Sequence, residues 1–345
     1  MNIAVSSEFI NLECKTKSQR LYCKEQLEKC DQFNIATGYI SSDSIIELNK
    51  IVEENKTPNV KLFIGMHFFD LFTEVQYDAV KKLSTTLSKL NRGKIYISKK
   101  LKYHGKMYSF IRNNTCFSAS IGSSNFDSFL CGSKNTCEID SFHEGAEAEI
   151  INQKIESIIN DLGEPFDSVT IDRYKPEIPL IDNHYGVNKL PDGTFKAYSK
   201  NLTGNQFYIP LKTEQKSNLN VFFGKGRENP RGFVIPRPWY EVELIVPQEI
   251  RKNPNYPSQK KFNVITKEDY SFFCETNGDN AKNFRSSDDL SILGKYIKGK
   301  MENTGALKIG EPVNEKVLEV FKYNSILLRQ TKESPNTWLL SFENI

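Results

Sequence analysis

Two residues suited to catalysis, His104 and Lys106, lie two positions apart in the first half of the chain. On an extended strand, residues i and i+2 share a face, so the imidazole and the ammonium are expected to project side by side. The imidazole can attack phosphorus or carry a proton near pH 7, and the ammonium can neutralise a non-bridging oxygen. The pair therefore predicts attack on a phosphodiester.

Three further side chains suit the same chemistry. Fifteen residues separate Lys106 from the turn 122–125, where Ser123 and Asn125 can donate hydrogen bonds to phosphate oxygens. Glu138 lies on the next predicted strand, where a carboxylate can hold the second ring nitrogen of the histidine in the required tautomer. Taken singly, each of these residues is commonly an ordinary surface or turn residue. Their combination, in this order and on neighbouring strands, indicates a catalytic site.

The elements that must position these residues alternate between strand and helix. Strand patterns at 33–40, 60–65 and 94–98 are separated by helix patterns at 42–54 and 73–90. Consecutive strand patterns follow at 104–111, 116–121 and 136–142, and a helix pattern at 146–159 closes this half. Such an order predicts an α/β sandwich with a mixed sheet.

The second half of the chain has a different pattern of predicted strands and loops. Short strand patterns are separated by loops rich in Gly, Asn and Arg, which predicts a mainly-β, barrel-like domain with one or two helices. A stretch rich in proline and acidic residues precedes it and is typical of a linker. We therefore predict an α/β domain at 1–162, a linker at 163–192 and a mainly-β domain at 193–345.

Composition excludes several other classes of protein. The chain of 345 residues has a net charge of +3, and no segment approaches the ~20 apolar residues of a membrane span. Its seven cysteines are odd in number and scattered, which predicts a reduced, cytoplasmic chain without a zinc site. Positive charge is local, since residues 222–261 contain 8 basic and 4 acidic side chains.

The series His104-x-Lys106 with Gly122-Ser123-x-Asn125 resembles the HKD motif of the phospholipase D superfamily. The aspartate expected five residues after the lysine is Ile111, a departure that favours the nuclease branch over the lipid hydrolases. The resemblance implies a covalent phosphohistidine on His104 and no metal or other cofactor. The catalytic residues that it implies are His104, Lys106, Ser123, Asn125 and Glu138.

The chain contains one such motif, because His67, His143 and His184 have no lysine two residues later. A site in this superfamily uses two motifs related by a twofold axis. The resemblance therefore implies a homodimer that shares its active site across the interface.

The second half resembles the B3-like DNA-recognition domain that accompanies a single HKD motif in NgoFVII- and BfiI-like restriction endonucleases. In that domain two loop arms grip the major groove of double-stranded DNA, where arginine reads guanine, asparagine reads adenine and lysine neutralises phosphate. The DNA-binding residues that the resemblance implies are Arg227, Asn229, Arg231, Arg237, Asn280, Lys282, Asn283 and Arg285.

These patterns together predict a sequence-specific type II restriction endonuclease that acts without metal. Two alternatives stay open: a lipid or small-molecule phosphodiesterase of the same superfamily, and a non-catalytic DNA-binding module of a larger assembly. No nucleotide-binding loop of the G-x-x-x-x-G-K-[ST] type occurs, so any ATP dependence requires a separate ATPase or helicase-like subunit. Five acidic residues in 163–182 lead to the further hypothesis that the linker restrains the nuclease.

Overall fold

The computed structural model describes residues 2–5, 18–132 and 136–344, and the chain divides into two compact units. The first unit comprises Met1–Glu177 together with Arg227–Pro236. The second unit comprises Ile178–Gly226 and Arg237–Ile345. A short segment of the predicted DNA-binding domain therefore packs with the nuclease half of the chain.

The first unit is built on an eight-stranded mixed sheet with the strand order β1-β7-β6-β5-β2-β3-β4-β8. Strands β2, β3 and β4 are parallel to one another, and the remaining pairs are antiparallel. The strands are β1 (Asn2–Val5), β2 (Gln32–Thr37), β3 (Asn59–Ile64), β4 (Gly93–Ser98), β5 (Met107–Arg112), β6 (Thr115–Gly122), β7 (Ile139–Glu144) and β8 (Gly163–Pro165). The helices are α1 (Gln19–Leu27), α2 (Ser42–Glu54), α3 (His67–Asp70), α4 (Glu74–Leu90), α5 (Phe126–Cys131) and α6 (Gly145–Leu162).

Local sequence explains where the two crossover helices begin. A capping box formed by Ser41 and Ser44 starts α2, and a second one formed by Thr73 and Gln76 starts α4. Each box satisfies backbone N–H groups that have no partner within the helix. The strand–helix alternation therefore produces the parallel β2-β3-β4 segment, as predicted.

Helices cover both faces of the central strands. On one face α6 packs Ile151, Ile155 and Ile159 against the sheet side chains Ala36 and Phe63. On the other face the contacts are aromatic: the ring of Tyr22 in α1 stacks on Phe142, and that of Phe129 in α5 stacks on Tyr108. The side-chain alternation of the strands supplies both layers, and the predicted α/β sandwich with a mixed sheet is confirmed.

The strand that was predicted to begin at residue 104 begins at Met107 instead. The register explains the difference, because Met107 pairs with Ala36 near the end of β2 and the chain of β2 then turns away at Gly38. His104 and Lys106 therefore lie in an extended segment that projects past the end of β2. This places both residues at one end of the sheet, beside its central strands.

Part of the predicted linker belongs to the first unit. Strand β8 pairs with β4, and Asp167 accepts hydrogen bonds from the Ser84 hydroxyl at 2.8 and 3.0 Å. Glu177 accepts from the backbone N–H of Val75 at 3.0 Å, in the first turn of α4. Two of the acidic residues thus contact α4, and the hypothesis that the linker restrains the nuclease stays a prediction.

The second unit is mainly β, with the strand order β10-β17-β18-β14-β15-β16-β13 and β9 added beside β15. The strands of this half of the chain are β9 (Val187–Lys189), β10 (Leu202–Pro210), β11 (Arg227–Glu228), β12 (Val234–Ile235), β13 (Leu244–Ile245), β14 (Lys261–Thr266), β15 (Tyr270–Asn277), β16 (Asn283–Ser286), β17 (Ser325–Thr331) and β18 (Thr337–Glu343). The helices are α7 (Thr194–Tyr198), α8 (Gln248–Arg251), α9 (Ile292–Asn303) and α10 (Glu315–Phe321). Strands β11 and β12 form a separate hairpin, which is the part that packs in the first unit.

The sheet of the second unit is curled, so that its two outer strands, β10 and β13, contact each other. Trp239 and Trp338 are buried, and the Trp338 ring packs near Phe207 and Phe262. The predicted mainly-β pseudobarrel is confirmed, although it carries four short helices where one or two were predicted. None of the helices in the described ranges combines the length and the apolar character needed to cross a lipid bilayer.

Candidate active site

Four points of the chain meet at one end of the first sheet. They are the end of β2, the extended segment before β5, the end of β6 and the start of β7. Because β5 and β6 are neighbouring antiparallel strands, the segment that enters β5 lies beside the turn that leaves β6. A hydrogen bond from the Gly122 N–H to the Lys106 carbonyl, at 3.2 Å, joins these two segments.

His104 and Lys106 are in direct contact. The Lys106 ammonium lies 3.2 Å from Nε2 and 3.3 Å from Nδ1 of His104, and it donates to the His104 carbonyl at 2.7 Å. The imidazole is exposed, whereas Lys106 is buried. Burial lowers the pKa of Lys106, and the nearby Glu138 carboxylate opposes that shift. An exposed imidazole is therefore held beside a partly desolvated positive charge.

Ser123 and Glu138 are hydrogen-bonded to each other. The Ser123 hydroxyl donates to Glu138 Oε2, and the backbone N–H of Ile139 donates to the Ser123 oxygen at 2.9 Å. Thr136 donates to the other Glu138 oxygen at 3.1 Å. These contacts place both predicted residues at the same end of the sheet as Lys106. The role predicted for Glu138, holding the ring of His104, stays a prediction.

Asn125 is held by the loop that follows β2. Its Oδ1 accepts a hydrogen bond from the backbone N–H of Tyr39 at 3.3 Å. The neighbouring Ser124 is buried, donates through its hydroxyl to Asp140, and accepts from the Tyr108 hydroxyl at 2.6 Å through its carbonyl. The turn that carries Asn125 is thus anchored in the core.

Gly122 is required by the same anchor. A Cβ at this position would lie 2.2 Å from Asp140 Oδ1 and 2.4 Å from the Ile139 carbonyl oxygen. Any other residue would displace the strand that carries the buried Asp140. The first glycine of the Gly-Ser-x-Asn pattern is therefore explained by close packing.

Sequence reasoning missed the residues of the β2 end, Thr37, Gly38 and Tyr39. Thr37 accepts from the Phe126 N–H at 3.2 Å and donates to the Tyr39 carbonyl at 3.0 Å. The Tyr39 ring meets the His104 ring edge to face, with centroids 5.6 Å apart. The available signal was a strand that ends in small and aromatic residues, which does not by itself point to the site.

His67 lies buried beneath this loop, and its Nε2 accepts from the Ile40 N–H at 3.1 Å. Burial, assisted by Lys175, lowers the pKa of His67 to about 4.

The stability of the first unit should depend on pH through His67. The unfolded chain, with a histidine pKa near 6.5, binds a proton at higher pH than the folded chain does. The first unit should therefore lose about 3 kcal/mol of stability as pH falls from about 6.5 to about 4. His67→Gln should remove that loss. Urea denaturation of both proteins across this range checks it, and equal pH dependence would contradict it.

The first predicted DNA-binding arm is the β11–β12 hairpin. Arg227 and Arg231 are exposed, while the Asn229 side chain accepts from the N–H groups of Arg231 and Phe233, each at 2.9 Å. Asn229 therefore stabilises the hairpin turn through its side-chain oxygen. Contact with bases by these three residues stays a prediction.

Asn55, the residue that follows α2, is hydrogen-bonded to this hairpin. Asn55 donates to the Val234 carbonyl at 2.9 Å and accepts from the Val234 N–H at 2.7 Å. Arg92 in turn donates to the Asn55 carbonyl at 2.5 Å. The Asn55 side chain thus binds both the N–H and the carbonyl of Val234, as the backbone of a neighbouring strand would.

Two of the predicted DNA-binding arginines are paired with carboxylates in the second unit. Arg237 binds Glu241, with Nε at 2.9 Å. Arg285 binds Glu275 through Nε at 2.9 Å and Nη2 at 2.8 Å, and it lies 3.5 Å from Glu243. Contact of these two arginines with DNA stays a prediction.

The other residues of the second arm are less engaged. Asn280 is exposed, with a positive φ of 56°, and Lys282 lies 3.4 Å from Asp279. The Asn283 Oδ1 atom is buried and, in the part of the chain that the structure describes, has no hydrogen-bond partner. Binding of DNA by this arm stays a prediction.

Within the part of the chain that the structure describes, no cluster of three or more His, Cys, Asp and Glu side chains is placed to hold a metal ion.

Comparisons with known proteins match both halves. The model of the NgoFVII restriction endonuclease N-terminal PLD domain matches residues 16–169, and that of the NgoFVII C-terminal B3-like DNA-binding domain matches residues 197–332. The comparison with curated proteins gives no match.

Among solved structures the likenesses are distant. Nuc from Salmonella typhimurium, a phospholipase D family member, is 12% identical with a TM-score of 0.33, over 43% of this chain and 90% of its own. TrmBL2, an archaeal chromatin protein, is 10% identical with a TM-score of 0.29, over 47% of this chain and 53% of its own. The two family models, in the order in which they match, confirm the resemblance drawn from the sequence: the chain belongs to the NgoFVII restriction endonuclease family of DNA nucleases, with a phospholipase D domain followed by a B3-like DNA-binding domain.

Proposed function

We propose that this protein is a sequence-specific DNA endonuclease that cuts phosphodiester bonds without a metal ion, at a site shared by two copies of the chain. The observation that carries the proposal is the contact between His104 and Lys106, at 3.2 and 3.3 Å, beside the turn that bears Ser123 and Asn125. An exposed imidazole next to an ammonium and neutral donors is suited to an anionic phosphodiester.

The proposed reaction has two steps. A ring nitrogen of His104 forms a bond to phosphorus while the bond to the leaving DNA oxygen breaks, and the partner's His104, protonated, gives its proton to that oxygen. Water then attacks the phosphohistidine, gives its proton to the same partner imidazole and frees the DNA phosphate. Lys106 and Asn125 of both copies donate to the non-bridging oxygens and supply the charge stabilisation that a metal supplies elsewhere.

Exposed apolar residues beside the site support the dimer. Ile3, Ile121 and Ile139 are 44%, 42% and 53% exposed. Ile121 pairs with Ser141, and Ser141 pairs with Ile3 on the other side, so these residues share one face with Ile139, two positions along β7. Adjacent exposed isoleucines are typical of a surface that a second copy covers. A twofold axis there would bring two half-sites together.

The test is DNA cleavage in EDTA. Purified protein is incubated in three separate reactions: with long genomic DNA, with phosphatidylcholine vesicles and with a small activated phosphodiester. We expect discrete DNA fragments in EDTA, together with an acid-labile adduct between protein and DNA. Cleavage that requires Mg²⁺ would overturn the metal-independent mechanism. Hydrolysis of the lipid or the small ester with DNA left intact would favour a phosphodiesterase of another class.

A further inference from the structure

We propose that Tyr39 is a positioning residue that holds His104 and Asn125 of each chain in the arrangement the reaction needs. This inference rests on the proposed function, because it explains how one half-site is kept ready. Tyr39 contacts both side chains, although about 65 residues or more separate it from each of them in the sequence.

The backbone of Tyr39 orients the Asn125 amide. Its N–H donates to Oδ1 at 3.3 Å, so the carbonyl end of the amide points to the β2 loop and the NH₂ end is turned away from it. Only the NH₂ end can donate to an anionic phosphate oxygen. Asn125 is also the N-cap residue of α5, yet its side chain makes no capping hydrogen bond. The contact with Tyr39 therefore sets the orientation of this amide.

The β2 loop also limits the position of the imidazole. The rings of Tyr39 and His104 meet at an angle of 77°, an edge-to-face arrangement that aromatic pairs favour. Gly38 packs so closely that a Cβ would lie 3.1 Å from His104 Cδ2 and 3.3 Å from its Cα. The loop and Lys106 together leave the imidazole little freedom to move.

Tyr39 is itself fixed at several points. Its hydroxyl donates to Asp70 at 2.5 Å, and Asp70 also accepts from Lys102 at 2.8 Å. Its ring meets the buried His67 edge to face, with centroids 5.5 Å apart. The hydrogen bond to Asp70 raises the pKa of Tyr39. A ring that is fixed in this way holds the His104 imidazole directly, and it keeps the backbone N–H of Tyr39 in place for the Asn125 amide.

The experiment compares Tyr39→Leu, which removes the ring, with Tyr39→Phe, which removes the hydroxyl alone. Tyr174→Leu, at another partly exposed tyrosine of the first unit, is the matched control. Steady-state cleavage gives kcat and KM, and NMR gives the His104 imidazole and Asn125 amide signals. We expect Tyr39→Leu to lower kcat about 10²-fold with little change in KM, and to shift both sets of signals. Tyr39→Phe should recover most of the lost rate.

The NMR signals separate this inference from the proposed function. If the parent cuts no DNA, the proposed function fails, but shifted His104 and Asn125 signals in Tyr39→Leu still support the positioning role. Unmoved signals would overturn it. A higher KM with unchanged kcat would also overturn it, because Tyr39 would then be a substrate contact. Gly38→Ala repeats the test with a smaller change, and we expect shifted His104 signals there as well.

Discussion

Replacing His104 with alanine should abolish DNA cleavage while DNA affinity stays at the parent level. The loss should be roughly 10⁴–10⁶-fold in the single-turnover rate, since the variant has neither the nucleophile nor the acid that protonates the leaving oxygen. Affinity should persist because the B3-like domain matched at 197–332 is separate from this residue in the chain. Cleavage gels and fluorescence anisotropy with the same DNA measure the two quantities.

His184→Ala is the control, because this histidine lies in the second unit and contacts the Tyr185 carbonyl at 2.9 Å. We expect it to cut at the parent rate. Cleavage that survives in His104→Ala would contradict the assigned nucleophile. Absence of cleavage in the parent as well, with DNA bound, would favour the non-catalytic DNA-binding module.

The same variant tests whether two copies share one site. When parent and His104→Ala chains are refolded together in equal amounts, about one quarter of the dimers should retain two histidines. Activity should therefore fall to about one quarter of that of the same total amount of parent protein. Retention of about one half would mean that each chain cuts by itself, and the shared site would be wrong.

Lys106→Met should lower the rate of cleavage by about 10²–10³-fold, again with little effect on DNA affinity. Methionine keeps most of the apolar stem of this buried side chain but removes the ammonium that contacts both His104 ring nitrogens. Loss of one fixed donor to a developing negative charge typically has an effect of this size. Single-turnover kinetics and anisotropy make the measurement.

Lys99→Met is the matched control, since Lys99 is a more exposed lysine of the first unit that pairs with Glu164. It should cleave DNA at nearly the parent rate. If Lys106→Met weakened DNA binding uniformly and left the cleavage rate of bound DNA unchanged, Lys106 would belong to a DNA-binding surface. The catalytic role assigned to it would then be wrong.

The candidate site shows how far local sequence patterns reach. His104 and Lys106 were found because two residues two positions apart share a face of extended chain, and the structure brings them into contact. The turn 122–125 was found because it follows a strand. Tyr39 was not found, because no spacing relates it to His104. The two residues meet only because β5 pairs with β2 in one particular register.

In the second unit, the partners of the predicted DNA-binding residues could not be predicted from sequence patterns. Arg285 was predicted to bind DNA because the second half resembles a B3-like domain, in which loops of this kind grip the major groove. The register of β15 and β16 places Glu275 directly opposite Arg285, and the two side chains bind each other. Similarly, the exposed Arg227 lies on a hairpin whose Val234 is held by Asn55. Neither partner is predictable from composition.

By itself the sequence determined the class of the protein: an α/β half with one imidazole–ammonium motif and a β-rich half with basic loops. Residue type, side-chain alternation and turn chemistry are local properties, and the family models confirm the two kinds of domain that they indicated. Only the tertiary structure decided which side chains surround the motif, that Lys106 is buried, and which arginines already have a partner. The reason is physical, because strand order and register bring distant residues together, and neither is encoded in the periodicity of any single segment.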